Sequence, residues 1–272
     1  MTGEKVLTKN LLVLGVRLVL VACIIFAVAG TTFWYQGPVS ENDFVIAIDT
    51  SASMAAQDIQ PSRLDAAKDY ATRIVSGLKA QSNFALLSFA GTTFIETTLI
   101  NNKDTMLKTI SQLDTTETGG TDIPGAIITG TNMLLASKKG KTIIIITDGS
   151  NTVSAFLSDS INNAIDYAKQ NHVVIHAIGI GSETGPIGYL PGYYNISAVY
   201  NADTLFQISN STNGKYVHIQ NSSDIETAQI EIAKASEDAM IPVPLNYGLM
   251  LIVLLALFLE WGLISTRFRR IP

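Results

Sequence analysis

Apolar residues run almost unbroken from Leu11 to Trp34, with Arg17 the one charge, and again from Leu245 to Ile264, with Glu260 the one charge. A helix needs roughly 20 apolar residues to cross a hydrocarbon core, so membrane helices are predicted over 11–35 and 245–265. Lys5, Lys9 and Arg17 flank the first span, and Arg267, Arg269 and Arg270 follow the second, whereas Gln36 to Phe44 carries no basic residue. Basic flanks stay in the cytoplasm, which puts both termini inside and everything between the spans outside. The expected layout is a cytoplasmic N-terminus (1–10), a linker (36–42), a folded domain (43–236), a second linker (237–244) and a basic tail (266–272). Arg17 is expected to snorkel, with Trp34 and Tyr35 at the outer interface. Two other readings of the first span stay open: Ala27-Val28-Ala29 resembles a signal-peptidase site, and Leu20-Val21-Ala22-Cys23 resembles a lipobox, although Ile24-Ile25-Phe26 is not the polar continuation of a lipoprotein.

Between the spans, β-rich apolar runs alternate with amphipathic helical ones, the pattern of a mostly parallel sheet covered by helices on both faces. Strands are expected at 44–48, 84–89, 94–99, 142–147, 173–180 and 215–219. Helices are expected at 62–78, 104–113, 124–137, 158–170, 204–212 and 223–235. Ser62 with Asp65 three residues on reads as a capping box. Phe84 to Phe89 and Phe94 to Leu99 are separated only by Ala90-Gly91-Thr92-Thr93, a connection too short for a parallel crossover, so one strand of that pair must run antiparallel.

The composition fits this division: of 272 residues, 47% are hydrophobic and only 15% charged, which leaves one domain plus membrane segments. A net charge of −5 with no Lys/Arg run among aromatics argues against nucleic acid as a partner. Cys23 is the only cysteine, which excludes disulfides within the chain and cysteine metal sites.

The oxygen-bearing side chains gather at strand ends. Asp49, Ser51 and Ser53 occupy alternate positions after the first domain strand, where extended backbone points them the same way. Asp148-Gly149 closes the strand Thr142 to Thr147, and Gly119-Gly120-Thr121 immediately precedes a helix. Taken singly, such residues are ordinary turn and cap formers. Together, two carboxylates and three hydroxyls supply what a hard divalent cation such as Mg²⁺ or Mn²⁺ prefers, oxygen donors with room for water or an outside ligand. Carboxyl ends of parallel strands are also where open α/β sheets bind ligands.

At these residues the sequence resembles the von Willebrand factor A family, whose metal-ion-dependent adhesion site is written Asp-x-Ser-x-Ser, then a loop threonine, then the aspartate of a Thr-Asp-Gly turn. Asp49, Ser51, Ser53, Thr121 and Asp148 fill all five positions. The stretches Asp58-Ile59-Gln60-Pro61-Ser62-Arg63-Leu64, Ser88-Phe89-Ala90-Gly91, Gly120-Thr121-Asp122-Ile123-Pro124 and Ile178-Gly179-Ile180-Gly181, with the tail Arg267 to Pro272, are similar to the Bat-type (aerotolerance-operon) membrane proteins of prokaryotes. The resemblance covers about Asp43 to Ala235. It implies an α/β, Rossmann-like, doubly wound sheet with one antiparallel edge strand, here flanked by two transmembrane helices. It further implies that Ser51, Ser53 and Thr121 bind the cation directly, that Asp49 and Asp148 act largely through water, and that a partner's Asp or Glu carboxylate supplies the missing anionic ligand. Sister von Willebrand factor A proteins and a MoxR-type AAA ATPase are partners implied by the same resemblance.

The reading is therefore a multi-pass cell-membrane protein, anchored in the lipid bilayer, whose extracytoplasmic domain binds proteins through a divalent cation. The alternative is a structural subunit of a membrane complex in which the cation only stabilises loops. No nucleophile elbow or phosphate loop points to an enzyme. His172, His176 and His218 do not share a helical face and form no metal set. Tyr189, Tyr193 and Tyr194, which share the long segment Gly181 to Asp203 with Tyr200, are expected to contact the partner, because tyrosines give large contact area with few rotors; the alternative is that these rings pack onto the domain or lie against the outer leaflet. Asn195, Asn210 and Asn221 each begin an N-glycosylation pattern.

Overall fold

The structure, a computed structural model, describes residues 3–38, 42–78, 81–116, 119–149, 157–182, 202–221, 224–235 and 238–267. Two units divide the chain: one drawn from its ends (Met1–Tyr35 and Pro242–Pro272), the other Gln36–Ile241.

Helix α1 (Gly3–Val28) begins the first unit. It stops because Gly30 takes φ +69°, a left-handed turn that glycine adopts without strain, and the Thr31 hydroxyl donates to Phe26 O at 2.8 Å. The expectation of a helix to residue 35 is corrected here. Thr32-Phe33-Trp34-Tyr35 is a β-branched and aromatic run, and it begins strand β1 (Thr32–Pro38).

The second unit is built on β2 (Asn42–Asp49), a single 3-10 turn (Ala52–Ala55), α2 (Arg63–Gly77), β3 (Asn83–Phe89), β4 (Thr93–Ile100), α3 (Lys103–Ser111), α4 (Ile123–Leu134), β5 (Gly140–Thr147), α5 (Leu157–Gln170), β6 (Val174–Ile180), α6 (Ala202–Ser211), β7 (Tyr216–Ile219) and α7 (Asp224–Ala235). Strand β8 (Asp238–Pro244) and helix α8 (Asn246–Arg267) complete the chain. β8 pairs with β1 in a separate two-stranded sheet, so the segments 36–42 and 237–244, read as linkers, both contain strand.

The six remaining strands lie in the order β4-β3-β2-β5-β6-β7. β2 pairs parallel with β3 and β5, and β5-β6-β7 continue parallel, while edge strand β4 runs antiparallel to β3. That antiparallel edge is the one the short connection between β3 and β4 requires. Alternate residues of each strand feed opposite cores. Phe44, Ile46 and Ile48 pack with α2, α3 and α7, whereas Val45 and Ala47 pack with α4, α5 and α6. Both faces of β2 and β5 are buried, which is why these strands read as continuous apolar runs. Each buried Ile or Val contributes about 1.5–3 kcal/mol relative to exposure.

In the first unit, α1 and α8 pack against each other, and the Arg17 Nε donates to Glu260 Oε1 at 2.7 Å. Sequence pattern alone leaves these two charges unconnected. Among the described residues no helix is long and apolar enough to cross a membrane. Within α1 and α8, Leu18, Ile25, Leu251, Phe258 and Trp261 are all exposed.

Candidate metal centre

Register sets the site. Ile48 of β2 lies opposite Ile146 of β5, so Asp49 and Thr147 leave the sheet at the same level and Asp148 follows one residue on. Asp49 Oδ1 accepts the Ser51 N–H at 2.8 Å, turning the chain sharply after the strand. Ser51 caps the 3-10 turn, and its Oγ lies 3.1 Å from Ser53 Oγ. The intervening Thr50 is tied across to β3 by its N–H, which donates to Phe89 O at 2.8 Å.

Thr121 arrives from a different segment, fixed at both ends against this rim. Thr116 N–H donates to Thr50 O at 2.8 Å, and Asp122 N–H to Ala90 O at 2.6 Å. Gly120 turns with φ +95°, and Asp122 then caps α4 by accepting Gly125 N–H at 2.9 Å. Thr121 itself is buried. All five oxygen-bearing residues singled out by pattern therefore stand at one rim of the sheet, on loops anchored to its two central strands and to β3.

The charge there is unbalanced. Asp49 and Asp148 are both fully buried. Burial, and then the neighbouring Asp148 charge, push the Asp49 carboxyl up to about 7, against the opposing hydrogen bonds from Ser51 and Thr147. Asp148 Oδ2 accepts from Arg63 Nη1 at 3.0 Å. That same guanidinium grips Asp58 with two further bonds, Nε to Oδ1 at 2.8 Å and Nη2 to Oδ2 at 2.7 Å. Burial opposes the Asp58 charge, yet the Arg63 bonds and the Ser182 N–H hold its carboxyl below the usual carboxylate range. Arg63 thus bonds both Asp58 and Asp148, while Asp49 lies close enough to Asp148 for the two charges to repel. A divalent cation would relieve that repulsion, and hydroxyl and carboxylate oxygens match its donor preference. Among the described residues no three His, Cys, Asp or Glu side chains gather to hold a metal; the set at this rim depends on hydroxyls for most of its donors.

Tyr189, Tyr193, Tyr194 and Tyr200, together with Asn195, lie outside the described residues. Asn210 and Asn221 are exposed. The histidines are separately engaged: His176 Nδ1 accepts Lys215 N–H at 3.0 Å, and His218 Nε2 lies 2.7 Å from Gly181 O. Pattern reading missed the roles of Arg63, Asp58 and Thr147. Arg63 opens an amphipathic helix where an arginine is normally solvated, so nothing local marks it as buried. Thr147 looks like one more β-branched strand residue, yet its hydroxyl donates to Asp49 Oδ2 at 2.5 Å.

Residues 44–151, which include all five positions, match the family model of the von Willebrand factor type A domain. A UPF0353 protein of Mycolicibacterium paratuberculosis is 24% identical over 269 residues, covering 95% of this chain and 80% of that protein. A further UPF0353 relative, from Nocardia farcinica, is 27% identical and aligns over 59% of this chain and 51% of its own length, about half. The crystal structure of the conserved hypothetical protein BatB from Bacteroides thetaiotaomicron is similar with TM-score 0.63 at 26% identity, over 72% of this chain and 98% of that one. Proximal thread matrix protein 1 from the mussel byssus, with its MIDAS motif occupied by zinc, shares the fold with TM-score 0.59 at 18% identity, over 77% of this chain and 49% of that one.

Proposed function

The chain carries a von Willebrand factor type A domain with a Bat-type relative of known structure, and on that premise we propose that it is a membrane-anchored module that binds a protein partner through a divalent cation. The observation that carries this reading is the buried pair Asp49 and Asp148 at the ends of β2 and β5, whose charges repel, with Arg63 bonded to Asp148 and Asp58. Ser51, Ser53 and Thr121 would hold Mg²⁺ or Mn²⁺ directly, with Asp49 and Asp148 supplying charge around it. The bound cation supplies an electrophilic centre that neutral hydroxyls leave under-neutralised, which suits it to an outside carboxylate.

The chain's own residues do the positioning. Thr147 fixes the rotamer of Asp49, and the Ser51 N–H fixes its other oxygen. Thr50 accepts from Thr116 and so draws the Thr121 loop towards the same rim. The zinc-occupied MIDAS of the mussel protein, at matching fold, supports metal binding at this location. Tyr189, Tyr193 and Tyr194 would add partner contacts, a reading that rests on the sequence alone.

The anchoring part of this reading rests on the two apolar runs of the sequence, Leu11 to Trp34 and Leu245 to Ile264. Their exposed leucines, isoleucines and aromatics suit lipid, and the basic flanks orient the termini inwards.

Capture of peptides that present Asp or Glu tests the reading, with the full chain held in detergent micelles. Capture is expected in Mg²⁺, lost in EDTA and absent for Ser51→Ala. Capture that ignores EDTA would contradict it, and cation binding without any carboxylate capture would leave the cation a purely structural role.

A further inference from the structure

Arg63 is the first residue of α2, and its side chain has no exposed surface. A guanidinium in that position costs several kcal/mol unless its donors are matched. Its fork is matched from two sides, by Asp58 through Nε and Nη2 and by Asp148 through Nη1. Asp58 Oδ2 in turn accepts the Ser182 N–H at 2.8 Å. A continuous polar chain therefore runs from Asp148, at the end of β5, through Arg63 and Asp58 to the backbone that leaves β6.

Gly181 shows how closely that backbone and the guanidinium are fitted. A Cβ at Gly181 would stand 3.0 Å from Arg63 Cζ, and the residue sits at φ +147°, which side chains rarely adopt. The Gly181 carbonyl is held from its other side by His218 Nε2. The root of the segment after β6 is thus packed on the guanidinium at Gly181 and, at Ser182, hydrogen-bonded to its partner carboxylate.

We propose that Arg63 is a positioning residue which links cation occupancy at Asp148 to the order of the backbone at Ser182. The proposal rests on the metal-site reading above and adds a direction of transmission. When a cation balances Asp49 and Asp148, the Arg63 fork is left between carboxylates whose orientation is fixed, and the Asp58 bond to the Ser182 N–H tightens with it. Lysine could keep the charge but not the fork, because a single ammonium cannot bond Asp58 in two places and reach Asp148 as well.

Hydrogen exchange on the full chain in detergent micelles, followed in the peptide carrying Ser182, reads the coupling, while calorimetry reads cation binding separately. Mg²⁺ is expected to slow Ser182 exchange several-fold in the natural chain. Arg63→Lys is expected to lower Mg²⁺ affinity on the order of tenfold, as loss of an outer partner of a metal ligand does, and to abolish the slowing. Asp58→Asn, which spares Asp148, should still bind Mg²⁺ while Ser182 no longer responds; it serves equally if the lysine variant does not fold. Bound Mg²⁺ without slowing in the natural chain, or slowing that persists in Asp58→Asn, overturns the proposal. Absence of Mg²⁺ and Mn²⁺ binding in the natural chain overturns the metal-site reading instead, and this inference with it.

Discussion

Thr147 donates its hydroxyl to Asp49 Oδ2 at 2.5 Å while accepting the Gly149 N–H at 3.1 Å, so one threonine orients the carboxylate of the neighbouring strand and shapes the turn that follows its own. Asp49 and Thr147 have no exposed surface, so this bond is the buried contact that orients both side chains. Thr147→Val keeps the shape but leaves a buried acceptor and a buried donor unmatched. The expected result is a loss of about 1–3 kcal/mol of stability and weaker cation binding, both largely restored in Thr147→Ser. Thermal unfolding of the two variants beside calorimetry checks it, and valine and serine behaving alike would deny the hydroxyl this role.

His176 gives the domain an acid limit unrelated to the metal centre. Burial, and then the nearby Lys215 charge, push this imidazole down to about 4 from its ordinary 6.5, and its Nδ1 must stay unprotonated to accept Lys215 N–H. A depressed folded pKa means that the stability is fully present above about 6.5 and is lost as pH falls from there through about 4. The full loss is on the order of 3 kcal/mol. Melting temperature followed from pH 7 to pH 4 should decline, and His176→Leu should flatten the part of that decline that belongs to this group. A variant with the natural slope would assign the acid sensitivity to other groups.

Arg17 and Glu260 are predicted to act as a pair that fixes how α1 and α8 meet. Arg17 is largely exposed and Glu260 mostly covered, so truncating Arg17 removes a partner from a mostly covered carboxylate. Arg17→Ala and Glu260→Ala should each lower the amount of folded protein recovered from membranes several-fold, and the exchanged pair Arg17→Glu with Glu260→Arg should recover most of it. Failure of the exchange to improve on the single charge reversals would show that the contact does not guide packing.

Orientation is open to direct labelling. Cysteines placed at Ser40 and Ser236 in a Cys23→Ser background should react with a membrane-impermeant thiol reagent on intact cells, and a cysteine at Thr266 should react only after permeabilisation. Labelling of Thr266 alone on intact cells would reverse the topology that the basic flanks imply.

The α/β class was legible because β2 and β5 are buried on both faces and so read as unbroken apolar runs, and because the three residues between β3 and β4 allow only an antiparallel pairing. The candidate metal residues were legible for a similar reason: their order along the chain follows the order of strand ends. Pairings remote in sequence were not legible. Arg63 and Asp148 stand 85 positions apart, and Arg17 and Glu260 stand 243 apart. No periodicity connects such residues; only the parallel register and the helix packing do. The strands β1 and β8 were missed because they adjoin the two long apolar runs, so their residues were read as helix or linker.

That Asp49, Ser51, Ser53, Thr121 and Asp148 together hold one divalent cation is tested most directly by calorimetric titration of the full chain with Mg²⁺ and with Mn²⁺, beside the Asp49→Ala and Asp148→Ala variants. One cation bound per chain, with affinity reduced at least about tenfold in each variant, is the predicted result. Binding that is unchanged in both variants, or no binding by the natural chain, would contradict it.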